Sequence, residues 1–143
     1  MPTDVELAWA AGFIDGEGSI RATKNSHNSD AVVLRVQVAQ VDPRPLQALV
    51  DMFGGSVTGP YFHKNVKHRK YYAYARVGSN AVTLLRQILP YLKTKQEEAQ
   101  LGIDFWEYNQ TVKNPGRRGT SPEVQERRNS FVTELKEMKN RGS

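Results

Sequence analysis

The chain has 143 residues, a formal net charge of +5, a pI near 9.6 and no cysteine. That length fits about one domain and is enough to bury a core, while the missing cysteines exclude disulfides, thiolate zinc sites and cysteine nucleophiles. No apolar run approaches the roughly 20 residues of a membrane span, and Asp4 and Glu6 stand where a signal peptide would be positive. The expectation is a soluble, intracellular protein with no membrane partner, and its basic balance favours a polyanionic one.

Thr3 or Asp4 can cap a first helix reaching about Asp15. Leu7, Ala8, Ala11, Gly12 and Ile14 are placed along one side of it, where small residues allow a second helix to approach closely. Gly16 and Gly18 can take positive φ, which predicts a sharp turn that carries Glu17 past the helix end. Asp15 reads as a local hydrogen-bonding group. Residues 18–24 alternate as a strand, with Ser19, Arg21 and Thr23 on one face and Ile20 and Ala22 on the other. After a polar turn at 25–29, residues 31–40 alternate again, with Val32, Leu34, Val36 and Val38 inward and Val33, Arg35 and Gln37 outward.

Pro43 opens a short helix through Met52 that Gly54 and Gly55 end. Residues 57–64 and 70–77 read as a second hairpin, the former interrupted by Gly59 and Pro60. In the latter Tyr72, Tyr74 and Arg76 share one face. Helices follow at about 80–92 and 95–108, and a last one starts at Ser121-Pro122-Glu123 and runs to about Lys139. Val124, Phe131 and Leu135 lie on its apolar side, towards the core or a flank. Asn114 to Gly119 is a loop whose Arg117 and Arg118 suit phosphate.

From Met52 to Gln96 there is no acidic residue, yet Lys64, Lys67, Arg69, Lys70, Arg76, Arg86, Lys93 and Lys95 fall there. Solvated faces mix signs, so this one-sign stretch points to phosphate contact. The element order is that of an α+β unit, αββαββα, with one four-stranded antiparallel sheet. Its open face is expected to carry Arg21, Thr23, Arg35, Gln37, Tyr72, Tyr74 and Arg76. In the DNA major groove Arg can pair bidentately with guanine and Gln with adenine. His27, His63 and His68 lack metal-ligand spacing, which argues against a histidine-metal nuclease.

Residues 10–18, Ala-Ala-Gly-Phe-Ile-Asp-Gly-Glu-Gly, resemble the LAGLIDADG motif, with Ala10 at its first Leu, Phe13 at its second, Gly16 at its second Ala and Glu17 at its last acid. The stretch Leu89-Pro90-Tyr91-Leu92-Lys93-Thr94-Lys95-Gln96 is similar to a further stretch of the same family, and the similarity spans roughly residues 7 to 100. It implies a single homing endonuclease domain over residues 1–143, with the concave sheet as a saddle on double-stranded DNA. A carboxylate from Glu17 and the Gly16 carbonyl would hold Mg2+, or another divalent metal such as Mn2+. Gln40 and Arg44 would order the attacking water, and Lys95 would face the active site.

One motif per chain implies a homodimer joined through Ala8, Ala11 and Gly12, hence a near-palindromic target. Leu101 to Phe105 lacks the Gly-acid-Gly corner and reads as core. An RNA maturase acting on intron RNA, or a DNA-binding regulator without cleavage, are the alternatives the same family offers.

Overall fold

The structure, a computed structural model, describes residues 1–24, 32–62, 69–112 and 121–141. The turn at 25–29, the three histidines, Lys64 and Lys67, and the 114–119 loop lie outside them.

Helix α1 (Asp4–Glu17) begins at a capping box in which Thr3 Oγ1 accepts from the Glu6 amide at 3.1 Å and Glu6 Oε1 accepts from the Thr3 amide at 3.0 Å. The expected sharp turn after Asp15 is absent. α1 continues through Glu17, and Gly18 opens strand β1 (Gly18–Lys24) in extended conformation, φ −92° and ψ 173°. Gly18 is needed for room instead: a Cβ there would stand 3.1 Å from the Ile14 carbonyl oxygen and 3.1 Å from its Cγ2.

Strand β2 (Val32–Gln40), helix α2 (Arg44–Phe53), strands β3 (Val57–Phe62) and β4 (Lys70–Val77) and helices α3 (Gly78–Ile88), α4 (Gln96–Thr111) and α5 (Pro122–Arg141) complete the α+β fold. The helix expected over 80–92 stops earlier, in a 3-10 turn at Leu89–Tyr91, because Pro90 has no amide to continue the ladder. The antiparallel sheet has the order β1-β2-β4-β3. Ile20, Ala22, Leu34, Val36 and Val38 point from it into a core shared with Ile14, Leu46, Leu85, Ile103, Phe105 and Phe131. Gly102 lets α4 close on β2, since a Cβ there would lie 2.9 Å from Leu34 Cδ1. The Leu101–Phe105 segment is core, as its sequence indicates, and Phe131 and Leu135 bury the inner side of α5. No described helix is long and apolar enough to cross a membrane.

Register corrects the expected open face. Gln37 pairs with Ala75 and Ala39 with Ala73, while Val38 pairs with Tyr74 and Gln40 with Tyr72. Cross-strand partners share a side of the sheet, so Tyr71, Ala73 and Ala75 join Arg35 and Gln37, and Tyr72, Tyr74 and Arg76 face the helices. Tyr74 is 2% exposed and its hydroxyl donates to the Gly54 carbonyl at 2.8 Å. Burial raises its pKa, against a smaller lowering from Arg76. Arg76 lies against the Gly54-Gly55 corner, where a Cβ on Gly55 would stand 2.7 Å from its Nη1.

The proposed helix-packing stripe is corrected as well. Ala11 is fully buried in its own chain with Ala10 and Ile14, whereas Ala8 and Gly12 are exposed beside Val5, Trp9 and Gly16. Positions 7, 10, 11 and 14 form one side of a 3.6-residue helix and 5, 8, 9, 12 and 16 another, so Ala11 belongs to a different face from Ala8 and Gly12.

Candidate active site and nucleic-acid interface

Three chain segments meet at the C-terminal end of α1. Glu17 is its last residue, and the pairing of Gly18 with Val38 sets that end beside the close of β2. Gln40 Nε2 accordingly donates to Glu17 Oε2 at 3.2 Å. From the turn before α4, Lys95 Nζ donates to the Asp15 carbonyl oxygen at 2.6 Å. Glu17, Gln40 and Lys95 are thus gathered at one helix end, although they are far apart in sequence. The last carbonyls of a helix, Gly16's among them, have no intrahelical donor and form its negative pole. An exposed carboxylate added to that pole favours a cation.

Asp15 is not the local group expected. Its carboxylate accepts from the backbone amides of Lys93 at 2.7 Å, Thr94 at 3.2 Å and Lys95 at 2.9 Å, and from the Thr94 hydroxyl at 3.0 Å. Burial pushes this carboxyl up, but those donors outweigh it and leave it below its ordinary value. Asp15 therefore fastens the segment carrying Lys95 to the helix carrying Glu17. The sequence carries no sign of this, because the partners come from a distant segment with no acid-recognition pattern.

Arg44 is not hydrogen-bonded to Glu17 among the described contacts. Its guanidinium is turned to Asp42, with Nη2 2.6 Å and Nε 3.0 Å from Oδ2. Hydrogen bonds from the Arg44 side chain, and then its amide, hold the Asp42 carboxyl down at about 2. Among the described residues no cluster of three or more His, Cys, Asp and Glu side chains could hold a metal. Within one chain a cation at Glu17 would have a single carboxylate and neighbouring carbonyls such as Gly16's.

Beyond Glu17 the open face of the sheet runs out through Ser19, Arg21 and Thr23 on β1 and Arg35, Gln37 and Ala39 on β2. A concavity of about 680 Å³ is lined by Glu17, Ser19, Arg35, Gln37, Thr58 and Tyr61, among others. The rings of Tyr61 and Tyr71 lie 5.4 Å apart, centroid to centroid. Thr58, Tyr61 and Tyr71 are not legible as site residues in the sequence: Lys70 to Val77 has no polar and apolar alternation to distinguish its faces, and Gly59 and Pro60 interrupt the pattern around Thr58 and Tyr61. Arg21 stands directly across from Arg35. Like charges in that relation destabilise a strand pair, and no acid among the described residues of this face offsets them except Glu17 at its end.

A family model described as LAGLIDADG endonuclease matches residues 10–112. Solved structures share the fold. The homing endonuclease I-CvuI, in complex with a DNA target in the presence of Mg, is 22% identical with a TM-score of 0.73, covering 94% of this chain and 82% of that one. An archaeal intron-encoded homing endonuclease complexed with DNA is 14% identical with a TM-score of 0.73, covering 94% and 84%. The I-SmaMI LAGLIDADG homing endonuclease bound to cleaved DNA is 24% identical with a TM-score of 0.57, covering 89% of this chain and 48% of that one. No curated protein matches the chain. With the motif helix, the sheet and the family model all agreeing over most of its length, this chain belongs to the LAGLIDADG endonuclease family.

Proposed function

We propose that this protein is a homodimeric, divalent-metal-dependent endodeoxyribonuclease, one domain over residues 1–143, that makes double-strand breaks at a long, near-palindromic site. The observation that carries this reading is the facing pair Arg21 and Arg35 on a sheet surface whose described residues include no acid before Glu17 at its end. A surface with an uncompensated cationic pair is stabilised by an anion, and duplex DNA supplies a regular row of them.

The outward strip of α1 supports the dimer. Val5 is 80% and Trp9 42% exposed, Trp9 stacks on Phe13, and a Cβ on Gly12 would meet nothing within 4 Å. A second α1 laid along Ala8 and Gly12 would cover this strip and set two Glu17 carboxylates together, which gives a cation the second carboxylate that one chain lacks. Hard oxygen donors suit Mg2+ or Mn2+, which, when bound, neutralises the carboxylates and polarises the phosphate. Gln40 orients Glu17 through their hydrogen bond and has its amide oxygen left for water. Lys95 offers positive charge where charge develops at the phosphate. Arg44, on the surface with Asp42, suits an adjoining phosphate.

The test is recovery of cleaved molecules from a randomised duplex library with Mg2+. Near-palindromic cut sites are expected from the wild type and none from Glu17→Gln, which should still bind. Cutting by Glu17→Gln would overturn the mechanism, and binding of intron RNA without DNA cutting would identify a maturase.

A further inference from the structure

The Arg44 side chain is held along one edge by Asp42. Nε donates to Oδ1 at 3.1 Å and to Oδ2 at 3.0 Å, and Nη2 donates to Oδ2 at 2.6 Å. The Arg44 backbone amide also donates to Oδ1, at 2.9 Å, so the carboxylate is fixed to the start of α2 while it holds the side chain. Pro43 and Pro45 stand on either side of Arg44 and lock their own φ angles, which leaves little play in the backbone beneath it.

A guanidinium has two edges that can each grip an oxyanion, Nε–H with Nη2–H and Nη1–H with Nη2–H. Asp42 occupies the first. Both N–H bonds of Nη1 and the second of Nη2 stay available on the other. The Arg44 side chain is 89% exposed, and among the described residues no other hydrogen bond or ion pair reaches its guanidinium. Without Asp42 no described contact would select one of its rotamers. Exposed ion pairs contribute little to stability, and a carboxylate beside a polyanion lowers affinity by repulsion. What this carboxylate supplies on a surface that meets DNA is orientation.

Chain position connects the pair to the Glu17 site. Gln40, which donates to Glu17 Oε2, lies just before Asp42, so one short run of chain carries both the residue that orients Glu17 and the residue that orients Arg44. We propose that Asp42 is a positioning residue for the cleavage reaction: it holds Arg44 by one edge and presents the other, as a preset fork, to a phosphate of the bound duplex. The proposal rests on the endonuclease reading above and adds to it a residue that acts only through Arg44.

The experiment takes a duplex that the wild type cuts in the library selection. Single-turnover cleavage in Mg2+ and affinity in Ca2+ are measured for the wild type, Asp42→Asn, Asp42→Ser, Arg44→Lys and the double variant Asp42→Ser/Arg44→Lys. Asn and Ser both keep an acceptor for the Arg44 amide and suit a helix start, but neither offers two anionic oxygens to the guanidinium. Urea unfolding checks that the helix start is intact. Each Asp42 variant should cut about tenfold more slowly or worse while binding at least as tightly as the wild type. Lysine has no fork, so Arg44→Lys should slow cutting similarly, and the double variant should be no slower than the slower single one. A residue that only starts α2 would leave cutting unchanged in the Asn and Ser variants. Wild-type rates in both of them, binding weakened in step with the rate, or losses that multiply in the double variant would each overturn the proposal while leaving the endonuclease standing. If the wild type cuts no duplex, the endonuclease reading fails and takes this one with it.

Discussion

Two carboxylates separated by one residue at the end of α1 have opposite surroundings. Asp15 receives four hydrogen bonds from the Lys93–Lys95 turn, while Glu17 is exposed and receives one from Gln40. Saturation by three backbone amides and a hydroxyl makes Asp15 part of the scaffold, because its lone pairs are committed and its charge is compensated. Glu17 keeps open coordination positions beside a negative helix pole. The difference shows how one turn of helix supplies both a fastening and a reactive group: successive side chains leave a helix about 100° apart, so the two acids address different neighbours.

The strongest way to test that contrast is Glu17→Gln, which should lower cleavage about a thousandfold and leave urea unfolding within about 0.5 kcal/mol of wild type. A large stability loss would mean that Glu17 is scaffold too. Gln40→Ala should cost roughly 10- to 100-fold in cleavage rate by releasing the Glu17 carboxylate, with DNA binding in Ca2+ retained. Asp15→Ala should do the reverse, lowering unfolding free energy by about 1–2 kcal/mol through loss of its amide partners. Abolished cleavage with unchanged unfolding in that variant would erase the distinction between the acids.

Acid should sharpen it further. The folded-state pKa of Asp15 lies below its ordinary value of 3.8, so its contribution is full above that value and is lost as pH falls through the folded one. Wild type should therefore lose more stability between about pH 5 and pH 3 than Asp15→Asn does, as read by urea midpoints. The smallest effect is expected away from both acids: Tyr74→Phe should cost about 1 kcal/mol by losing its bond to Gly54 and leave DNA affinity unchanged, since this ring faces the helices.

Much of this arrangement was legible in the sequence. The α+β class, the element order and the outward set on β1 and β2 follow from period-two alternation that is clear in both strands. Glu17, Gln40 and Lys95 stand out by residue type and motif, and the fold brings all three to the end of α1. The faces of β4 are not legible, because tyrosine and alanine fit either face of a sheet and only its pairing with β2 decides between them. The burial of Ala11 is not legible either, because a stripe of small residues looks alike from either side of a helix. The Asp15 fastening depends on side-chain direction at close range, which residue type alone does not fix.

The uninterrupted passage from α1 into β1 has a consequence of its own. With no loop between Glu17 and Gly18, there is no joint at which the acid could move independently of the strand. At about 3.4 Å per residue, Arg21 stands roughly 14 Å along the chain from Glu17. In the proposed endonuclease that span is a ruler: the offset between the bases recognised and the bond cut is written into strand length. Changes of specificity made further along β1 and β2 should move the recognised sequence while the cut stays at the same offset from it.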